Sequence, residues 1–161
     1  VVEGQYDLWL PSENVLNRGT GFLYPDEEVT LTIPSTAEKV ISVGAYDALT
    51  FSYASFSGRG YTWQDERTKP DLVAPGVNVR TTAVGGGVTV VSGTSFATPF
   101  VTGASALLME WGIVRGNDPF LYGEKVKAYL RRGARELPGF GKYPNREVGY
   151  GRLCLERSLP D

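Results

Sequence analysis

The sequence predicts a mixed α/β fold in which a small parallel sheet lies against an apolar central helix, and three features carry that prediction. Val40-Ile41-Ser42-Val43-Gly44-Ala45 is a short, β-branched, apolar run, the pattern of a strand covered on both faces of a parallel sheet. Asp71-Leu72-Val73-Ala74 is a second such run, ended by Pro75-Gly76. From Ser95 to about Trp111 the apolar period becomes helical. Phe96, Phe100, Ala104, Leu107, Leu108 and Trp111 recur at helical spacing, while Ala97, Val101, Gly103 and Ala106 leave the other faces apolar or small. A helix apolar nearly all round belongs in a core. Strands followed by such a helix place the chain in the α/β class.

In chain order, Val1 to Leu10 alternates loosely and reads as a half-buried strand, broken by Pro11-Ser12-Glu13-Asn14 and again by Asn17-Arg18-Gly19. Val29 to Ile33, alternating with threonines, is a second strand candidate. After the Val40 run, Tyr53 to Phe56 is a short strand or edge segment. Arg59 to Pro70 is polar, rich in turn formers and expected as a surface loop. Val77 to Val84 and Val88 to Val91 flank Gly85-Gly86-Gly87 as a hairpin, and with no helix directly behind it the glycine triplet is a flexible tip rather than a phosphate loop. Glu124 to about Arg132 is an amphipathic helix with Val126, Tyr129 and Leu130 inward. Gly149-Tyr150-Gly151 opens a last segment, Leu153 to Leu159. Residues 1–25 differ in texture from the rest and are either the end of a β-rich module or an irregular lead-in; residues 26–161 form the main body.

The 161 residues match one domain, long enough to bury a core. Hydrophobic residues at 42% and charged residues at 21% exclude disorder and coiled coil. Lys+Arg 16 against Asp+Glu 18 gives a net charge of -2, without the basic excess of a nucleic-acid binder. No apolar run approaches the roughly 20 residues of a membrane span. Cys154 stands alone, so neither a disulfide framework nor a multi-cysteine metal site is available, and it is expected to pack as a small buried hydrophobe. The start at Val1-Val2-Glu3, with no initiating Met, reads as an excised piece or a processed product. The count that constrains chemistry most is His 0: a general base must be another residue type or come from elsewhere.

Gly93-Thr94-Ser95-Phe96-Ala97-Thr98-Pro99 places a serine where a strand hands over to the apolar helix. The first backbone N–H groups of a helix lack intrahelical acceptors and point at any negative charge near the helix start. An attacked carbonyl develops such a charge, so Ser95 N–H suits half of an oxyanion hole. Gly93 permits close approach, and Pro99 belongs in the first turn, where a missing N–H is harmless. On spacing alone, Ser95 as a plain N-cap is an equal reading.

The wording of the segment goes further. Ser92-Gly93-Thr94-Ser95-Phe96-Ala97-Thr98-Pro99-Phe100-Val101-Thr102-Gly103 closely resembles the nucleophile signature of the subtilases. Lys69-Pro70-Asp71-Leu72-Val73-Ala74-Pro75-Gly76 resembles the strand and turn that precede it, with Pro75 and Ser95 standing 20 positions apart, as is typical of that family. Val40 to Ala45, followed by Ala54-Ser55-Phe56-Ser57-Gly58-Arg59-Gly60, and then Gly149-Tyr150-Gly151-Arg152, match further family segments in order. Residues 98–130, with Trp111-Gly112-Ile113-Val114-Arg115-Gly116-Asn117-Asp118, and the lead-in Leu8-Trp9-Leu10-Pro11 are similar to clostridial-type subtilases. That group includes the Csp germination proteases of spore formers, in which a jelly-roll module interrupts the catalytic domain; residues 1–25 would be its exit.

The resemblance implies the carboxy-terminal portion of a subtilisin-like parallel-sheet domain, with a buried central helix starting at Ser95. It implies a serine endopeptidase in which Ser95 is the nucleophile and Gly93, Thr94 and Ser95 form its turn, acting on protein or peptide substrates. Subtilases use Asp, His and Ser in that chain order with an oxyanion Asn, and the matching segments begin after those that carry the Asp and the His. Asn14 and Asn17 lack the family's Gly-Asn context. The chain alone is therefore expected to be inactive and to need the amino-terminal part of the catalytic domain as its partner. Lys69, Lys125 and Lys127 read as solvated surface rather than as a substitute base, Asp71 as a loop charge and Glu110 as a helix-surface charge. Phe96 stands where many subtilases carry Met and forms a bulkier wall near the leaving group; Phe100 stands where many have His. No cofactor is expected; by family analogy a weak structural cation site falls near Pro34 and Asp71, with plain surface charge preferred. A non-catalytic pseudoprotease or regulatory module is the alternative, opposed by the intact serine turn. A structural fragment dimerising through an open sheet edge is the third reading. The residues themselves assign no compartment; the resemblance implies the outside of the cytoplasm or the spore.

Overall fold

The computed structural model describes residues 6, 8–11, 15–61 and 68–160. Its centre is a three-stranded sheet ordered β2-β1-β5, with β1 Val43–Asp47, β2 Ser52–Tyr53 and β5 Leu72–Pro75. Strands β1 and β5 run parallel in the register Val43↔Leu72, Gly44↔Val73, Ala45↔Ala74 and Tyr46↔Pro75. Both apolar runs thus become neighbouring strands, and both are buried on two faces. Ala45, Leu72 and Ala74 pack toward a helix layer, whereas Tyr46 and Val73 pack on the opposite face with Leu137 and Val148. A strand with no wet face has no reason to alternate in polarity. Strand β2 closes one edge of the sheet antiparallel to β1, and residues 151–153 cover the outer edge of β5 through Val73 N–H to Gly151 O (2.9 Å) and Leu153 N–H to Val73 O (2.8 Å).

The expected hairpin is present as β6 Val79–Thr82 and β7 Val88–Val91, paired antiparallel from Val79↔Val91 to Thr82↔Val88. Gly85, Gly86 and Gly87 all take positive φ at its tip, which only glycine adopts without strain. Of the stretch 59–70, expected from its polarity as a surface loop, the described residues 59–61 and 68–70 are held to the body, and residues 62–67 lie outside the described residues. Gly60–Tyr61 (β3) pairs with Thr68–Lys69 (β4), and Lys69 and Pro70 are buried. Val29 to Ile33 is not a strand: Val29 sits at φ 53, outside extended geometry, and the segment is held to the body through Thr30 N–H to Arg59 O (2.9 Å). Of the first expected strand, Val1 to Gln5 and Asp7 lie outside the described residues, and Tyr6 and residues 8–10 have no regular structure.

Helix α1 spans Thr94–Met109 and continues through a wide π-turn, Glu110–Val114. It begins one residue earlier than Ser95 because Gly93, at φ 151, is the last non-helical residue. Pro99 therefore lies in the second turn rather than the first, leaving the Ser95 carbonyl without the amide that would normally bond it. Nor is the helix buried all round. Ala97, Val101, Ala104 and Leu108 face the sheet, but Phe100 (44% exposed), Leu107 (54%) and Val114 (77%) face away. The sequence makes both sides apolar, and the described residues cover one of them. The 21 residues Thr94–Val114 are, by length and composition, apolar enough to cross a membrane, contrary to the sequence expectation. Their packing on β1 and β5 is that of a core helix with one open side.

Helix α2 (Gly123–Gly133) is amphipathic as expected, with Val126 and Leu130 buried and Tyr129 half-buried. Gly133 lets the last short helix, α3 (Leu155–Ser158), come into direct contact, since a methyl there would overlap Ser158. Cys154, expected in the core, is only half-buried at the start of α3. At the closing turn a side chain on Gly149 would strike the Pro70 carbonyl, which explains the glycine there.

Candidate active site

Ser95 is placed by three anchors. The Gly93 N–H donates to Gly76 O (2.8 Å), tying the start of α1 to the end of β5. Asn78 N–H donates to Ser92 Oγ (2.9 Å), tying the approach from β7 to the approach to β6. Phe96 N–H donates to Gly93 O (3.1 Å), closing the first helical turn. Gly76 has to be glycine for this geometry, because an added Cβ would stand 2.6 Å from Ala45 Cβ and 3.0 Å from Gly93 O.

The result is a serine in the second position of α1 with an exposed side chain. Among the described residues, neither Ser95 Oγ nor Ser95 N–H has a hydrogen-bond partner. The amide has no intrahelical acceptor at that position and lies at the positive end of a 16-residue helix. The hydroxyl is not the side-chain N-cap of the alternative reading, since the capping position belongs to Gly93 and no side-chain cap bond forms. Phe96 packs back over Gly93, its ring 3.4 Å from where a Cβ would stand.

Ser95 opens onto a cleft of about 710 Å³ bounded by parts of residues 26–35, by residues 40–43, by Ser55 to Arg59 and by Thr94, Ser95 and Thr98. Leu31, Pro34, Val43 and Phe56 give it apolar surface. Arg59 closes one end, bonded to Glu27 (2.9 Å) and lying over the Tyr53 ring (5.4 Å). Burial pushes the Tyr53 hydroxyl above its usual pKa. No carboxylate or amine contacts Ser95 Oγ among the described residues, so nothing in them can take its proton.

A second cluster was misread from the sequence. Asp71, expected as a loop charge, is 0% exposed, and Lys69, expected as solvated surface, is 1% exposed. Asp71 Oδ2 accepts from Ser42 N–H (2.6 Å) and Lys69 Nζ (3.0 Å). Its Oδ1 accepts from Arg131 Nε (2.9 Å) and Arg131 Nη2 and pairs with Lys127 Nζ (3.3 Å). Lys127 is buried too, donating to the Glu38 carbonyl (2.6 Å) and the Val40 carbonyl (2.9 Å), which Lys69 Nζ also contacts (2.9 Å). Lys125 alone behaves as a helix-surface lysine, bonded to Asp118 (2.6 Å). Burial pushes the Lys127 ammonium down to about 8; the Asp71 charge opposes that, while Lys69 and Arg131 reinforce it.

Of the two residues near which a weak cation site was expected, Asp71 thus meets two ammonium groups and a guanidinium, and Pro34 lines the Ser95 cleft. The Asp71 carboxylate and the Val40 and Glu38 carbonyls, oxygens of the kind a metal would draw on, bond to side-chain cations instead. Among the described residues no group of three or more His, Cys, Asp or Glu converges. One signal in the sequence pointed to this cluster: Lys127 and Arg131 are like charges four residues apart, sharing a helix face with no acid between them. Such a pair calls for an anion from another element.

With this geometry in hand, the comparisons are consistent. A model of the subtilase family matches residues 23–151. The chain is 39% identical over 134 residues to the membrane-bound transcription factor site-1 protease of Mus musculus, covering 80% of this chain and 12% of that protein. It is 35% identical over 156 residues to the serine protease AprX of Bacillus subtilis, covering 84% and 33%. The solved CspB protease of Clostridium perfringens superimposes with a TM-score of 0.84 at 51% identity, covering 89% of this chain and 30% of that one. The chain spans a third or less of the length of these relatives.

Proposed function

This chain belongs to the subtilase family, and from that premise we propose that it is the nucleophile-bearing, carboxy-terminal part of a serine endopeptidase, with Ser95 forming the acyl-enzyme. The observation that carries the reading is the exposed Ser95, without a hydrogen-bond partner among the described residues, at the amino end of α1 and on the wall of a cleft of about 710 Å³. The hydroxyl attacks the substrate carbonyl. Ser95 N–H then faces the oxygen that gains charge, and the helix dipole favours that charge. Gly93 and Thr94 hold the turn. A serine without a base is a weak nucleophile at neutral pH, and the chain holds His 0. The base and its orienting Asp, together with the oxyanion Asn, come in this reading from sequence that precedes Val1. Residues 1–25 then lead in from an inserted module and residues 26–161 complete the catalytic domain.

Mixing the chain with that preceding part and a fluorophosphonate probe tests the proposal. Labelling is expected in the mixture, not in the chain alone, and is lost in S95A. Because Ser95 is exposed and its hydroxyl makes no hydrogen bond among the described residues, S95A should change stability by less than about 0.5 kcal/mol. Labelling that survives S95A, or none in the mixture, would overturn the assignment. Protein substrates follow from the reaction; peptide preference depends on surfaces supplied in part by the partner segment. No metal is required in this reading, since Lys69 and Lys127 neutralise Asp71 internally. Treatment with EDTA is accordingly expected to leave the melting temperature unchanged, and a fall reversed by Ca²⁺ would contradict that.

A further inference from the structure

We propose that the cavity beside α2 binds a small inorganic oxyanion of the phosphate type. The cavity measures about 350 Å³ and shares no lining residue with the Ser95 cleft. Lys39, Lys69, Lys127 and Arg131 all line it, with Tyr150 at its side. At its buried end three cations converge on the single carboxylate of Asp71, leaving an excess of two positive charges in a place with little water. Each of these cations has hydrogen-bond acceptors, but only one carboxylate faces the three of them, and a doubly charged anion would balance the remaining charge. Glu38 and Glu124 also line the cavity and offset part of this charge.

Donors remain available there. Arg131 uses Nε and Nη2 on Asp71, while its Nη1 has no acceptor among the described residues. The Tyr150 ring lies 4.8 Å from the guanidinium carbon and holds the fork in place. A guanidinium fixed in this way, beside an ammonium, is the arrangement that takes up phosphate oxygens through charge-assisted bonds. The depressed pKa of Lys127 fits the same picture, because it reflects burial and like charges that an anion would relieve.

The test is calorimetric titration of the chain with sodium phosphate, against sodium chloride at matched ionic strength, in two buffers of different ionisation heat. Saturable binding of phosphate alone is expected. Above about pH 8 it should be accompanied by proton uptake, because a bound anion raises the proton affinity of Lys127. R131Q should bind phosphate about tenfold more weakly, the loss of one charge-assisted contact. K39Q alters an exposed residue and should weaken binding while leaving the fold intact, so it decides the matter if R131Q does not fold. Phosphate heats no different from chloride, or binding unaltered in the variants that fold, would overturn the proposal.

Discussion

A buried lysine beside two further cations makes the chain's stability depend on pH. Lys127 faces Asp71, Lys69 and Arg131 and bonds the carbonyls of Glu38 and Val40. Its folded pKa of about 8 lies below the ordinary 10.5, chiefly through burial. Below about pH 8 the folded and unfolded chains both hold the proton, and this group adds no slope to stability. Between about 8 and 10.5 the unfolded chain holds a proton that the folded chain has released, so Lys127 makes stability rise with pH across that window. The melting temperature of the parent minus that of K127M should therefore climb between pH 8 and 10. A flat difference would mean that Lys127 titrates as an exposed lysine.

At the level of elements, what could be read from the sequence was whatever burial writes into composition. Strands β1 and β5 were legible because both faces of each are covered, and the β6–β7 hairpin because only glycine suits its tip. Helix α1 followed from the change of period at Ser95, and the structure starts it one residue earlier, after Gly93. What stayed hidden depended on partners distant in the chain. Asp71, Lys69, Lys127 and Arg131 are charged letters, each ordinary on a surface, and only the packing of α2 against the start of β5 brings them together. Val29 was hidden for a different reason: a β-branched residue gives no warning that it will take a positive φ. The open side of α1 was hidden because apolar residues look the same whether or not something covers them. That side supplies a test. Gly103 lies in mid-helix, and an added methyl would meet nothing within 4 Å. G103A should stabilise the chain by about 1 kcal/mol in urea denaturation, the intrinsic helix preference of alanine over glycine. G76A should destabilise it, since its methyl meets the Ala45 side chain at 2.6 Å. A loss of stability in G103A would mean that the open side of α1 is occupied.

For the molecule as a whole, exposed apolar surface decides behaviour in solution. Phe100, Leu107 and Val114 stand out from α1, and Val84, Val88 and Val90 from the β6–β7 pair, which has no third strand among the described residues. Isolated exposed hydrophobic residues are ordinary, but a helix face and an unpaired two-stranded ribbon in one small chain favour association. The edges of the central sheet offer less, since β2 and residues 151–153 already take much of them. Self-association should therefore proceed through α1 and the hairpin. Sedimentation velocity of the chain alone is expected to show a coefficient that rises with concentration. If the proposed amino-terminal part of the catalytic domain is the partner, adding it should replace that behaviour with a one-to-one complex, because the same apolar side chains would then be covered. L107E places a charge on the exposed face without touching the residues packed on the sheet, and it should suppress both associations. A chain that sediments as a monomer at every concentration, and whose complex forms equally well with L107E, would show that neither contact uses this face of α1.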